Sequence, residues 1–295
     1  MCGIVGIFIK NKKLENKLGS YLSKMINNMS SRGPDSAGFA IYDSNKSKNL
    51  FKYTLCVSNR DINQIVTKIK KKFKIVKFKI LSDHLVISTA TKTEKFINFI
   101  NENFENVSIV GYGQSIEIFK KVGNPKDIVK DFKLSSFKGT HGIGHTRMAT
   151  ESAITTNGSH PYSTGEDECL VHNGSLSNHN NLRRKLIKIG KVFDSENDTE
   201  VAAGYISNKL SQNNSLKNTL KDSLKDLDGF YTFIAGTKNG FAILRDEIAC
   251  KPAVIAETND YVAIASEFQA MAHLPDVNNA NIFEPEPGEV YVWEN

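Results

Sequence analysis

The feature that most constrains this chain is a short apolar run, residues 4–9, close to its amino-terminal end. The run is rich in β-branched side chains and is bounded by Gly3 and Lys10, which predicts a strand buried on both faces. Chain ends normally fray unless they are tied into a larger structure. A buried strand at this position would therefore hold Cys2 at the edge of a core.

Cys2 is the first candidate catalytic residue. We expect Met1 to be trimmed, because cysteine is small enough for ordinary initiator-methionine removal. Cys2 would then carry both a thiol and an α-amine whose unperturbed pKa is about 7.7–8.0, so one residue would supply a nucleophile and a general base. The thiol and the amine of one residue meet at too sharp an angle for direct proton transfer, and we expect one water to bridge them. The alternative is that Cys2 is a small buried hydrophobe.

Length and composition indicate a globular protein of one large domain or two small ones, since the chain has 295 residues and 40% hydrophobic residues. No apolar run approaches the length of a membrane span, and the first ten residues lack the features of a signal peptide. The cysteines are widely spaced and form no CxxC pair, which argues against a disulfide framework and a cysteine-based zinc site. We therefore expect a cytoplasmic protein. The four cysteines are Cys2, Cys56, Cys169 and Cys250.

The net charge of +6 is concentrated in a lysine-rich stretch, residues 46–79. A nucleic-acid-binding patch is one interpretation. The stretch, however, has a single arginine, Arg60, and no aromatic platform. We favour a solvated face and predict no nucleic-acid partner.

Apolar periodicity predicts the architecture. Residues 14–29 form an amphipathic helical pattern followed by a strand at 37–42, and after residue 178 three helices precede two strand pairs. Because strands occur in antiparallel runs and helices occur consecutively, the pattern favours an α+β fold, a four-layer α/β/β/α sandwich of two antiparallel sheets. We predict a single domain, residues 1–295, with an inserted lobe at about residues 45–138 whose role the sequence leaves open.

Three polar clusters have side chains suited to chemistry. Arg147 could clamp a carboxylate through a bidentate fork, or could pair with a structural acid. Asn173 and Gly174 could donate two hydrogen bonds to an oxyanion, or could form an ordinary Asn-Gly turn. Asp198 could bind an ammonium group, or could be the N-cap of a helix.

Four histidines, two of them spaced four residues apart, make a metal site conceivable. No acidic residue is interleaved as in HExxH, and the 111–113 segment lacks the third glycine of a dinucleotide loop. We therefore predict neither a metal nor a nucleotide cofactor in this chain. The histidines are His141, His145, His160 and His172.

Taken in order, five motifs resemble those of class II glutamine amidotransferases, which are N-terminal-nucleophile hydrolases. The resemblance spans the chain apart from much of the lysine-rich lobe. Additional motifs at 121–123, 139–142, 163–167, 249–252 and 284–287 resemble the free-standing amidotransferase subunit of glutamate-synthase-like systems, a subgroup that includes subunits of N-methylglutamate synthase. The five motifs are Met1-Cys2-Gly3-Ile4-Val5-Gly6, Ser31-Arg32-Gly33-Pro34-Asp35-Ser36-Ala37-Gly38, Gly144-His145-Thr146-Arg147, His172-Asn173-Gly174 and Asp198-Thr199-Glu200.

The resemblance implies a glutamine site in which a thiol attacks the side-chain amide. It implies catalytic roles for Cys2, Asn173 and Gly174, binding of the α-carboxylate by Arg147 and Thr150, binding of the α-ammonium by Asp198, and a loop beside the site formed by Arg32 and Gly33. Two positions depart from many relatives. Met148 replaces an aromatic residue, and Glu151 stands where some relatives have histidine.

The resemblance also implies partners. No synthase or transferase domain follows the strand at 290–293, so the ammonia would pass to separate glutamate-synthase-like subunits, with FMN expected on the partner. Three alternatives stay open. The chain could be a subunit of N-methylglutamate synthase, an amidase with another substrate, or a non-catalytic glutamine-binding regulatory subunit.

Overall fold

The computed structural model describes residues 2–43, 49–58, 62–149 and 153–295. Within these residues the strands form three antiparallel sheets. The first sheet has the spatial order β14 (Asn281–Phe283), β12 (Val254–Glu257), β13 (Tyr261–Ala265), β1 (Gly3–Ile9), β8 (His141–Arg147), β2 (Ser36–Tyr42) and β7 (Ile116–Val122). The second has the order β15 (Val290–Glu294), β11 (Gly240–Arg245), β10 (Gly229–Thr237) and β9 (Cys169–Leu176). The third has the order β4 (Ile75–Leu81), β5 (His84–Thr89), β3 (Phe51–Val57) and β6 (Val107–Gly113).

The helices lie on the outer faces of these sheets. A 3-10 helix (Lys12–Lys17) leads into the first of them, so the amphipathic pattern that begins at residue 14 is α-helical only from Leu18. None of these helices combines the length and apolar composition that a membrane crossing requires. The α-helices are α1 (Leu18–Asn28), α2 (Ile62–Lys72), α3 (Thr93–Asn103), α4 (Pro125–Asp131), α5 (His179–Lys188), α6 (Asp198–Ser211) and α7 (Leu216–Asp226).

Strand β1 is buried along its whole length, as its sequence predicts. It pairs with β13 on one side and with β8 on the other, so both of its edges are hydrogen-bonded. Its side chains alternate between two cores. Val5 and Ile7 belong to the core shared with α1, whereas Ile4 and Phe8 belong to the core between the first two sheets.

The remaining layer completes a four-layer sandwich. The outer face of the second sheet packs against α6 and α7 through a third core that includes Phe233, Tyr205 and Leu220. The layers are therefore α1 with α4, the first sheet, the second sheet, and α5 to α7. This order confirms the predicted α+β sandwich.

The third sheet lies outside the sandwich. Helices α2 and α3 pack on it and enclose a separate core that includes Tyr53, Ile69 and Phe96. This sheet and its helices occupy residues 51–113, whereas β7 pairs with β2 in the first sheet although it lies inside the range predicted for the lobe. The division into one domain with an inserted lobe stays a prediction.

Glycine hides strand β8 from the sequence pattern, and it suggests a turn where strand β9 continues. Strand β8 carries Gly142 and Gly144, and a Cβ on Gly144 would lie 2.7 Å from Ile26 Cδ1, so the small residues allow α1 to pack closely on the sheet. In β9, Asn173 and Gly174 continue the strand, so the alternative that they form an ordinary Asn-Gly turn is wrong. The φ of Gly174 is +152°, and a Cβ there would meet the Phe230 carbonyl oxygen at 2.1 Å.

Asp167 joins the lobe to the sandwich. Its buried carboxylate accepts hydrogen bonds from the backbone N–H groups of Gln114, Ser115 and Ile116, and from the Ser115 hydroxyl. These donors lie in the hairpin between β6 and β7. One carboxylate therefore holds the turn through which the third sheet is connected to the first.

Replacing this carboxylate should destabilise the fold. Asp167→Ala leaves three backbone donors without an acceptor, and we expect the free energy of unfolding to fall by about 3 kcal/mol. Urea denaturation measures this change. Glu166→Ala, at the exposed neighbouring position, is the matched control and should change stability by less than about 0.5 kcal/mol. Equal effects of the two substitutions would contradict the role assigned to Asp167.

Candidate active site

A cavity of about 210 Å³ lies where the ends of β1, β8 and β9 meet the start of α6. Its wall includes four residues that the sequence singled out, Cys2, Arg147, Gly174 and Asp198. They come from four separate segments that only the folded sheets bring together. The placement of Thr150, another predicted site residue, lies outside the described residues.

The backbone around Cys2 is held from three directions. The Nε group of Arg32 donates a hydrogen bond to the Cys2 carbonyl oxygen at 3.0 Å. Ser266 accepts from the Ile4 N–H through its hydroxyl and donates its own N–H to the Ile4 carbonyl, each at 3.0 Å. In the first sheet Gly3 lies opposite Thr146. The amino-terminal end of β1 is therefore fixed and does not fray.

The thiol of Cys2 is half-buried beside the loop that follows β8. Its Sγ atom lies 3.7 Å from the Met148 carbonyl oxygen, to which it donates. Burial raises the pKa of this thiol, an effect that the nearby charges of Arg147 and Lys251 oppose. The sulfur is therefore a protonated thiol at neutral pH, and a reaction at this atom requires a base.

Arg147 occupies the carboxyl end of β8. It is only 4% exposed, and its Nη1 donates to the Ala153 carbonyl oxygen at 3.1 Å. Gly33 packs directly behind it, because a Cβ on Gly33 would lie 2.3 Å from the Thr146 carbonyl carbon. The guanidinium is thus a buried cation at the wall of the cavity.

Arg32 and Gly33 lie behind Cys2 and are not part of the cavity wall. The guanidinium of Arg32 contacts the Cys2 carbonyl and forms an ion pair with Glu267. Gly33 contacts the backbone of β8. Both residues therefore hold the strands that carry the site, and the substrate-binding role implied by the resemblance stays a prediction.

Asp198 is the first residue of α6, and the N-cap is its neighbour Asn197, whose side chain accepts from the Thr199 N–H. The N-cap alternative for Asp198 is therefore wrong. Its Oδ2 accepts from the Leu176 N–H at 2.9 Å, and its Oδ1 lies 3.7 Å from His172 Nδ1. The cavity thus has a cation, Arg147, and an anion, Asp198, in its wall.

Asn173 and Gly174 lie side by side on β9. Asn173 is 3% exposed, and its Nδ2 has no hydrogen-bond partner among the described residues. Gly174 lines the cavity, whereas Asn173 is flanked by two lining residues, His172 and Gly174. A buried, unpartnered amide beside the cavity is an available hydrogen-bond donor.

Three buried histidines form a network around Thr199 that the sequence did not reveal. The Thr199 hydroxyl lies 2.8 Å from His160 Nε2 and 2.9 Å from His172 Nδ1. His145 stacks on His160 at 3.9 Å and donates from Nε2 to the His172 carbonyl oxygen. The only sequence signal for this network is the motif 198–200, which contains Thr199.

Burial lowers the pKa of all three histidines, and that of His145 to about 3. The positive charge of Arg147 lowers the pKa of His145 and His160 further. The three rings are therefore neutral at physiological pH. The network therefore adds no positive charge to that of Arg147.

Glu200 holds the loop that precedes α6. Its carboxylate accepts from the backbone N–H groups of Asp194 and Ser195, each at 2.8 Å. Arg183 donates to the carbonyl oxygens of Ser195 and Asn197 from the other side. These contacts fix the chain that leads into Asp198.

The described residues contain one group of potential metal ligands, and it lies away from the cavity. Cys56, Asp83 and His84 bring three ligand atoms within 4.8 Å of one another in the third sheet. His84 Nδ1 already contacts Asp83 Oδ1 at 2.9 Å, and the charges of Lys120 and Lys121 act on the Cys56 thiol. These cations disfavour a metal ion at this place.

Comparisons with known proteins bear on the whole chain. A family model described as a glutamine amidotransferase domain matches residues 145–273. A glutamine amidotransferase-like protein of Rhizobium meliloti is 49% identical over 298 residues, which cover 100% of this chain and 99% of the relative. A protein of Methanothermobacter thermautotrophicus, named as a candidate glutamine amidotransferase, is 32% identical over the full length of both chains.

A solved structure shares the fold. Glutamine phosphoribosylpyrophosphate amidotransferase from B. subtilis superposes with a TM-score of 0.64 at 22% identity. The match covers 100% of this chain and 47% of that one, so the present chain spans about half the length of the solved protein.

The neutral histidines predict a loss of stability in mild acid. Their folded-state pKa values lie below the ordinary value of 6.5, so only the unfolded chain takes up protons as the pH falls through this value. Stability should be fully present above about pH 6.5 and should decrease below it by up to about 1.4 kcal/mol per pH unit for each histidine. Urea unfolding at several pH values between about 7.5 and 5 measures the slope.

The control is His160→Gln, which removes one site of proton uptake. It should reduce the slope by up to about 1.4 kcal/mol per pH unit, whatever its effect on stability at neutral pH. An unchanged slope in this variant would contradict the neutral state assigned to His160.

Proposed function

This chain belongs to the class II glutamine amidotransferase family, whose members hydrolyse the glutamine side-chain amide, and from that premise we propose that it does so through Cys2 as nucleophile. One observation carries the proposal. Cys2, Arg147, Gly174 and Asp198 line the same cavity although they come from separate segments. The products are glutamate and ammonia.

Glutamine has a zwitterionic end that requires one cation and one anion in the site. Arg147 binds the α-carboxylate, for which its planar guanidinium provides paired donors. Asp198 binds the α-ammonium through Oδ1, the oxygen that does not accept from Leu176 and to which the Thr199 hydroxyl donates at 3.3 Å. Holding both ends fixes the side-chain amide relative to Cys2, and this positioning lowers the entropic part of the barrier. Thr150 assists Arg147 in this proposal.

The reaction begins from a protonated thiol, because burial raises the pKa of Cys2. Removal of Met1 exposes an α-amine on the same residue, and this amine accepts the thiol proton through a water. The sulfur attacks the amide carbon, the carbon–nitrogen bond breaks, and the proton leaves with the nitrogen as ammonia. Water then cleaves the γ-glutamyl thioester to give glutamate and the free thiol.

The tetrahedral intermediate places a negative charge on the amide oxygen. Asn173 donates to this oxygen from its Nδ2, which has no partner among the described residues. The backbone N–H of Gly174 is the second donor. Removal of one such donor typically lowers kcat by about 10²–10³-fold.

The ammonia passes, in this proposal, to a separate glutamate-synthase-like subunit that carries FMN, and this chain holds no cofactor. More specifically, the chain would be a subunit of N-methylglutamate synthase. The motif resemblance supports both. Reconstitution with candidate partners identifies the acceptor. The same experiment distinguishes catalysis from a purely glutamine-binding role, because a binding subunit would release no ammonia with or without a partner.

Cys2→Ala should abolish ammonia release from glutamine, by at least about 10³-fold, because no other group takes over the covalent step. Glutamine binding, measured by calorimetry, should persist in the variant. Mass spectrometry of the wild-type protein should show that Met1 is absent. A retained Met1 together with full glutaminase activity would overturn the mechanism.

Asp198→Asn should raise the KM for glutamine by at least about tenfold, since the amide keeps an acceptor for Leu176 but loses the charge that pairs with the α-ammonium. The matched control is Glu196→Gln. Glu196 is an exposed carboxylate in the wall of the same cavity, and its removal should change KM by less than about threefold. A larger effect at Glu196 than at Asp198 would contradict the assignment.

A further inference from the structure

We propose that the outer edge of β4 is a docking surface for a separate protein, which adds an acidic extended segment to the third sheet. The inference rests on the proposed function, because a glutaminase that supplies another chain with ammonia must hold that chain. We call this surface the β4 edge; it comprises Ile75–Leu81 and the adjoining end of α2, Lys70, Lys71 and Lys72.

The β4 edge has unused backbone hydrogen-bonding capacity. Strand β4 is the outermost strand of the third sheet and pairs only with β5 among the described residues. The N–H and C=O groups on its other side face outward. An edge of this kind is the place where an extended segment from another chain can join a sheet.

Three apolar side chains are exposed along this strand. Val76, Phe78 and Ile80 are 56%, 39% and 40% exposed. Phe78 and Ile80 occupy alternate positions and share one face of the sheet, whereas Val76 lies at the β-bulge where the register with β5 shifts, between Ile75 and Lys77. An isolated exposed apolar residue requires no explanation, but three along one edge strand are unusual in a protein that works alone.

Phe78 and Ile80 extend the core of the lobe. Phe78 lies opposite Ile87 and Ile80 lies opposite Leu85, and both partners are fully buried in the core under α2 and α3. At Phe78 that core reaches the surface beside the Lys70 ammonium, which lies 4.5 Å from the ring centroid. A strand placed beside β4 would continue the apolar face and bury it.

The positive charge around the β4 edge favours an acidic partner. Residues 62–82 contain seven lysines and no aspartate or glutamate. Lys79 pairs with Glu117, but the other six form no ion pair with a described carboxylate. Two copies of this edge would place lysines opposite lysines, which is destabilising. An acidic segment with alternating apolar residues complements both the charge and the exposed face.

A protein fits this surface better than a nucleic acid. A polynucleotide would neutralise the lysines but would leave the strand edge unpaired and the three apolar side chains unburied. Residues 62–82 also lack arginine, whose planar fork recognises phosphate groups. The strand edge and the apolar face are the features that require a polypeptide.

The test uses the full chain and a fluorescent peptide of about eight residues in which glutamate alternates with valine, a length typical of a strand. Fluorescence anisotropy should show saturable binding that weakens as salt is added. Hydrogen exchange should show protection of the β4 amides on binding. A peptide with lysine in place of glutamate should bind at least about tenfold more weakly.

Phe78→Ser should weaken binding of the acidic peptide by at least about fivefold, because it removes an apolar contact from the centre of the strand. Ile248→Ser is the matched control, since Ile248 is 72% exposed and lies outside the lobe, and it should leave binding unchanged. Urea unfolding of both variants shows whether the fold is retained. Phe78→Leu should restore binding.

Absence of acidic-peptide binding, equal binding of the basic peptide, or protection outside β4 would overturn the inference. Displacement of the peptide by a single-stranded oligonucleotide that binds more tightly would also overturn it and would favour a nucleic acid. Glutamine hydrolysis by the free chain should be the same in Phe78→Ser and wild type. A wild-type chain that binds the peptide but hydrolyses no glutamine would reject the proposed function while leaving the docking surface supported.

Discussion

The antiparallel pairing of β1 with β8 is the interaction on which the site depends. Its register places Gly3 opposite Thr146, so that Cys2 and Arg147 are adjacent at one end of the sheet. A slip of one residue would turn the side chains of β1 to the opposite faces and would exchange its two cores. Burial of every residue of β1 opposes such a slip, and the contacts from Arg32 and Ser266 fix the end of the strand where reactivity is needed.

The second half of the site comes from the other sheet. The core between the sheets sets β9 against β1 and β8, and the bond from Leu176 N–H to the Asp198 carboxylate ties α6 to β9. The same carboxylate is therefore both a structural acceptor and the anion of the cavity. Around it, Thr199 and its neutral histidines fill the space with hydrogen-bonded groups that carry no charge.

Apolar periodicity was sufficient to predict the strands and helices whose faces are uniform, such as β1 and α7, and the layer order followed from them. It did not predict β8, because Gly142 and Gly144 have no side chain with which to form a pattern, although this absence is what lets α1 approach. The clustering of Cys2, Arg147 and Asp198 came from motif resemblance, since nothing local relates residues so far apart. The Thr199 network was missed because tertiary contacts alone create it.

In the proposed mechanism, a thiol that burial keeps protonated acts beside a cation and an anion that hold the two ends of glutamine. The central claim is that this thiol, and no other, meets the bound amide. The most direct measurement is labelling of the intact protein with a glutamine analogue that carries a diazoketone in place of the amide, followed by mass spectrometry of the peptides. The account predicts one label, on Cys2, that excess glutamine prevents. Labelling of the exposed Cys250 instead, or labelling of Cys2 that glutamine does not reduce, would contradict it.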